Sequence, residues 1–211
     1  MLPRSPPSSS AAAAPPEQMV RLRITGPVIP FGRANVDTDL IIPASYMKTL
    51  TREGLGDGAF AALRGTPGNV FDDPCYRGAP ILVAGANFGC GSSREHAVWA
   101  LLQIGVEAVI APSFGEIFET NALRNGLVPV TVAERVVDLL LEYSPEQHVT
   151  VDVVGECLIT PDGDFAFTID PFRKHGLLHG VDVIELTESL DADISEYETA
   201  ARRARLWEQQ P

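Results

Sequence analysis

The apolar run Ile81-Leu82-Val83-Ala84 leads into the polar stretch Asn87-Phe88-Gly89-Cys90-Gly91-Ser92-Ser93-Arg94-Glu95-His96. Ala97, Val98, Leu101 and Leu102 then recur at helical spacing. A short continuous apolar run suits a strand buried on both faces, and the three-four spacing after it suits a helix. Ala108-Val109-Ile110-Ala111, ended by Pro112, reads as a second buried strand. Strand, helix and strand in that order dictate a βαβ unit, two parallel strands joined by a right-handed crossover. The glycines and serines therefore sit at an elbow where a strand turns into a helix.

Two readings of the elbow compete. At a helix start the first backbone N–H groups lack partners and the dipole is positive, so a carboxylate or phosphate is favoured there. Arg94 adds a planar cation able to grip a carboxylate with two hydrogen bonds. The plainer reading makes Ser92 and Glu95, three residues apart, a capping box, with Gly89 and Gly91 supplying unusual backbone angles and Arg94 solvated. One serine suffices for a cap, whereas Ser92, Ser93 and Arg94 crowd a single helix start. A second polar turn, Asn35-Val36-Asp37-Thr38-Asp39, precedes Leu40-Ile41-Ile42-Pro43. Its side chains can close an Asx-type turn, and its two carboxylates can also act as acid/base or metal groups.

The 211 residues, 45% of them hydrophobic, suffice for one domain with a real core. A net charge of −12 without a Lys/Arg-rich run excludes an electrostatic footprint for nucleic acid. No stretch approaches the roughly 20 apolar residues of a membrane span, so a soluble protein is expected. Cys75, Cys90 and Cys157 form no CxxC pair and are odd in number, which fits a reducing, cytoplasmic setting. His175 and His179, four apart, can share a helix face, but no HExxH pattern accompanies them, and surface or packing roles are expected over a metal site.

Residues 1–19, rich in Ala, Pro and Ser, read as a disordered tail without the apolar core of a secretory signal, and 20–211 as a single domain. An alternating strand is expected at 20–24, closed by Gly26-Pro27, and a short helix with long loops over the glycine-rich segment 44–79. A helix over 116–123, the Asn125-Gly126 turn and a strand at 127–130 come next. Phe114, Gly115, Thr120 and Asn121 lie where they can face a ligand or merely cap. Val136, Val137, Leu140 and Leu141 mark a helix over 133–142. The period then drops to two at Val149, Val151 and Val153, and a hairpin turns at Pro161-Asp162-Gly163-Asp164. A helix over 172–178, a strand at 183–186 and an exposed charged helix from 191 to about 207 complete the expectation.

Three ordered blocks carry a resemblance: Asn35 to Asp39 with Ile41-Ile42-Pro43, Asn87 to Ala97, and 118–129 with Asn121 and Asn125-Gly126. They resemble the small-subunit family of the 3-isopropylmalate dehydratases, leucine-pathway isomerases of the aconitase superfamily. The likeness extends over roughly residues 20 to 200 and includes Asp170-Pro171-Phe172-Arg173 and Leu186-Thr187. It implies an α/β fold, the swivelling β/β/α domain of the aconitase C-terminal type, with mixed parallel and antiparallel strands. It also implies a hydro-lyase active only as a heterodimer with a large subunit that holds a [4Fe-4S] cluster, and no cofactor bound by this chain. The scattered cysteines agree, since a cluster needs grouped thiolates.

Moving a hydroxyl from C2 to C3 of 2-isopropylmalate, a small dicarboxylate, requires loss and re-addition of water and removal of a carbon-bound proton, with the partner's iron as Lewis acid. By similarity, Ser92 is the base, activated by helix N–H groups and Arg94. Arg94, Ser93 and the backbone at Gly91 would bind carboxylate, Asp37 and Thr38 would shape a closing loop, and Tyr46, Met47 and Lys48 lie where relatives discriminate the substrate side chain. Small subunits for homoaconitate, methylcitrate or citraconate-type substrates share this pattern, because one methylene is worth only about 1–3 kcal/mol of discrimination. A non-catalytic binding module on the same fold is the remaining alternative.

Overall fold

The computed structural model describes residues 23–47, 54–92, 94–179 and 191–204. Strand β1 (Arg23–Gly26) alternates, with Ile24 buried between exposed Arg23 and Thr25. Pro27 follows and has no N–H to give a ladder, and beyond it the chain enters a different sheet as β2 (Val28–Pro30). A three-residue strand next to two prolines leaves no period to read, and the sequence reading did not mark it. A single helical turn, α1 (Thr38–Ile41), lies in the long connection to β3 (Ile81–Val83).

From there the chain is the expected βαβ series. α2 (Glu95–Gln103) crosses to β4 (Ala108–Ala111), and α3 (Glu116–Arg124) crosses to β5 (Val128–Thr131). The four strands lie in the order β2-β3-β4-β5, each parallel to the next. Helix α4 (Glu134–Leu141) then delivers the chain to an antiparallel sheet, β1-β6-β7-β8, with β6 (Val149–Asp152), β7 (Cys157–Thr160) and β8 (Gly163–Ala166). The result is an α/β fold with parallel and antiparallel sheets. Helices α5 (Pro171–His179) and α6 (Asp191–Ala204) fall where the sequence predicts them. The tail 1–19 and the strand expected at 183–186 lie outside the described residues. Among those residues no helix is long and apolar enough to cross a membrane.

The parallel sheet is covered on both faces, which is why its strands read as unbroken apolar runs. Neighbouring residues in a strand point to opposite sides. Ile81, Val83, Ile110 and Val130 join Val136, Val137 and Leu140 of α4 and Val149, Val151 and Leu158 of the antiparallel sheet. Leu82, Ala84, Val109 and Ala111 pack instead under Ala97, Val98 and Leu101 of α2 and Phe118 of α3. One sheet thus separates two cores, giving β, β and α layers.

Among the described residues of 44–79, 3-10 turns at Ala44–Tyr46, Leu55–Gly58, Val70–Asp72 and Pro74–Tyr76 stand where a short helix was expected. Side chains, not a backbone ladder, hold this segment. Phe60 and Phe71 stack with ring centroids 3.9 Å apart, and Phe31 tilts against both at 5.1 and 5.0 Å. Asp72 accepts from the Gly65 N–H at 2.7 Å and the Asn69 amide at 2.8 Å, and pairs with Arg64 at 3.4 Å.

Candidate active site

The elbow lies beyond the carboxyl end of β3, where open parallel sheets bind their ligands. It runs between the trailing loops of the two neighbouring strands and is tied to both. On one side Asp37 and Cys90 form a parallel bridge, the N–H groups of Gly89 and Cys90 donate to the Val36 carbonyl at 2.7 and 3.1 Å, and the Thr38 N–H donates to the Cys90 carbonyl at 3.0 Å. On the other side Phe88 bridges Phe114, and the Gly115 N–H donates to the Phe88 carbonyl at 2.8 Å. Sheet pairing therefore continues past the strand ends and fixes the elbow's path.

Local chemistry explains why this sequence follows that path. Gly89 has φ +74°, and a Cβ there would lie 2.2 Å from the Phe118 ring, so backbone angle and packing both demand glycine. Gly91, at φ +92°, has room around it and is needed for its backbone angle alone. Asn35 and Asn87 both take left-handed angles, φ 54° and 61°, and their side chains join at 2.9 Å. Asparagine tolerates this region better than most residues.

The turn at Asn35 to Asp39 caps α1 where an Asx-type turn was expected, and it also faces the elbow. Asp37 is the N-cap of α1, its carboxylate accepting from the Leu40 N–H at 2.7 Å. Thr38, 2% exposed, donates its hydroxyl to the Ser92 carbonyl at 3.0 Å. Asp39 forms an ion pair with Arg94, whose side chain is 22% exposed. The sequence marks Asp39 as one of the turn's two carboxylates but not its pairing with Arg94, because nothing local links it to an arginine 55 residues away.

The capping box expected at the start of α2 is absent. The helix begins at Glu95, its N-cap is Arg94 rather than Ser92, and Arg94 makes no side-chain cap hydrogen bond. The Glu95 carboxylate accepts from the Asn125 amide at 2.7 Å and so is directed across to α3 instead of back over its own helix. Ser92 is exposed on the elbow. This leaves the positive start of a nine-residue helix beside a serine and a guanidinium, a setting suited to an anion.

Gly91, Ser92, Arg94, Asp37 and Thr38 are thus brought together. Ser93 and Lys48 lie outside the described residues. Tyr46 and Met47 follow α1: Tyr46 is 40% exposed, packs against Gly58 and sits in the Ala44–Tyr46 turn, while Met47 packs on the helix-side core. Thr120 bonds the Glu116 carbonyl of its own helix at 3.0 Å, and Gly115 is the N-cap of α3. Cys75 lies in the Pro74–Tyr76 turn, Cys90 in the elbow and Cys157 on β7, so the thiols do not gather into a ligand set for a metal cluster.

A family model described as the aconitase C-terminal domain matches residues 20–135. A protein of Erythrobacter litoralis named 3-isopropylmalate dehydratase small subunit is 53% identical over 88% of this chain and 93% of its own length. The chain belongs to this small-subunit family. A 3-isopropylmalate dehydratase small subunit from Novosphingobium aromaticivorans is 52% identical over 86% of this chain and 91% of its own. The crystal structure of 3-isopropylmalate dehydratase from Methanocaldococcus jannaschii superposes with a TM-score of 0.61 at 27% identity, covering 83% of this chain and 99% of that one. The residues matched by the family model contain all three ordered blocks.

Proposed function

We propose that this chain contributes half of the active site of an isopropylmalate isomerase, a hydro-lyase that converts 2-isopropylmalate to 3-isopropylmalate in leucine biosynthesis. The observation that carries this reading is the placement of Ser92 and Arg94 together on the elbow at the start of α2, fixed from α1 by Thr38 and Asp39. In this reading the large subunit is the partner, the complex is a cytoplasmic heterodimer, and the [4Fe-4S] cluster belongs to the large subunit. The thiols of this chain do not fit a cluster, and its own part is confined to carboxylate binding and proton transfer.

Arg94 offers five N–H donors. Asp39 engages Nη1, and the guanidinium can still hold a substrate carboxylate as a fork. The Gly91 backbone and the Ser93 hydroxyl are further donors to that carboxylate in this reading. Ser92 takes the proton from the carbon beside it. A serine hydroxyl is a weak base, and the positive helix start and Arg94 favour its deprotonated form. Tyr46, Met47 and Lys48 border the substrate's isopropyl group.

The test is reconstitution with the cluster-loaded large subunit under anaerobic conditions, followed by a panel of substituted malates. Turnover of 2-isopropylmalate is expected. A well-formed complex that turns over only homoaconitate, methylcitrate or citraconate-type substrates would reassign the substrate, and one that turns over none would leave a binding module. Ser92→Ala should assemble normally and lose about 10²- to 10⁴-fold in kcat, the usual contribution of a positioned base.

A further inference from the structure

Asn125, the C-cap residue of α3, ties the end of that helix to the start of α2. Its Nδ2 donates to the Glu95 carboxylate at 2.7 Å and to the Asn121 carbonyl at 2.9 Å, while its Oδ1 accepts from the Trp99 indole at 2.8 Å. These partners fix which way the amide points. An indole N–H only donates and a carboxylate only accepts, so oxygen must face Trp99 and nitrogen must face Glu95. Glu95 and Trp99 are four apart and share one face of α2, so a single amide grips the first and second turns of the helix at once.

This grip matters because, among the described residues, no side chain caps the start of α2. Arg94 makes no side-chain cap hydrogen bond, and Glu95, which would close a capping box, is turned toward α3. The residue that follows Arg94 is therefore positioned from α3, and the elbow before it from α1 by the Thr38 hydroxyl and Asp39. We propose that Asn125 is a positioning residue for the reaction, acting through Glu95 to set the placement of Arg94 and Ser92 at the mouth of α2. The inference rests on the isomerase reading above and extends it to a residue that touches neither substrate nor reacting atoms.

The experiment uses the reconstituted complex and compares wild type, Asn125→Asp, and the double variant Asn125→Asp with Glu95→Gln. Placing a carboxylate at position 125 sets like charges against each other at Glu95, and one of the two pKa values must rise. Asn125→Asp should assemble with the large subunit yet lose about 10- to 100-fold in kcat at neutral pH, the scale of a misplacement of about 1 Å in the reacting groups. Its activity should recover as the pH falls and one proton bridges the pair. The double variant exchanges the two roles: an amide on α2 donates to a carboxylate on α3, and much of the lost kcat should return at neutral pH without acid.

Wild-type kcat in Asn125→Asp, a loss that neither acid nor the second change relieves, or a variant that no longer assembles would each overturn the inference. Failure of the wild-type complex to turn over any substrate would instead sink the isomerase reading.

Discussion

Arg94 and Gly89 show what single residues settle at this site. Arg94 combines an ion pair to Asp39 with a position at the N-cap of α2. Replacing it with lysine keeps the charge but removes the fork, and hydrogen bonds to charged groups are worth about 1.5–3 kcal/mol. KM for the dicarboxylate should therefore rise by about one to two orders of magnitude in Arg94→Lys, with a smaller change in kcat, as steady-state kinetics of the complex will show. At Gly89 a methyl group would combine a left-handed backbone with a collision into Phe118. The two penalties together are about 2–5 kcal/mol, so Gly89→Ala should lower the urea midpoint of the isolated chain measurably.

At this scale the glycines were legible in the sequence because a polar elbow between a strand and a helix needs positive φ. The absence of the capping box was not, because Ser92 and Glu95 match its pattern while the backbone carries the helix N-cap past Ser92 to Arg94. The pairing of Asp39 was hidden for a different reason: its partner is 55 residues away, and local spacing carries no information about such a pair.

Elements were legible where the period was strong. The strands β3 and β4, the helices α2, α3 and α4, and the hairpin of β7 and β8 follow from apolar runs, from three-four spacing and from the turn at Pro161-Asp162-Gly163. The segment between α1 and β3 was not, since it has no repeating pattern and depends on the cluster of Phe31, Phe60 and Phe71. Phe60 is fully buried in that cluster, and its N–H donates to the Ile41 carbonyl at the end of α1 at 2.8 Å. Truncation of such a side chain costs about 3–5 kcal/mol. Phe60→Ala should accordingly loosen this segment before the sheets, seen as hydrogen exchange that quickens over 54–78 while β3 and β4 stay protected.

For the molecule as a whole, acid stability has an identifiable origin. The Gly155 N–H and then Arg23 hold Asp152 below the ordinary carboxylate range. Lys174 does the same for Glu156, and the Asn69 amide with the Gly65 N–H for Asp72. Folded-state values below the unfolded ones mean that the unfolded chain binds protons first as pH falls. The stabilisation is complete above the ordinary carboxylate range near pH 4 and is lost as pH drops through the depressed folded values. Calorimetry should show a thermal midpoint that falls from about pH 5 downward, and Lys174→Gln should lower the midpoint at neutral pH while making that acid fall shallower.

The two-sheet architecture was only half visible from sequence, because β2 is too short to show a period and the partner of β1 lies far away. Arg23 faces Asp152 across the ladder, 129 residues later in the chain. During synthesis at roughly 5–20 residues per second, that separation leaves β1 without its neighbour for on the order of ten seconds. The parallel sheet and the elbow can assemble in that interval, since every strand they need has already emerged. The antiparallel layer closes after the parallel one, and β1 waits for its neighbour longer than any other described strand.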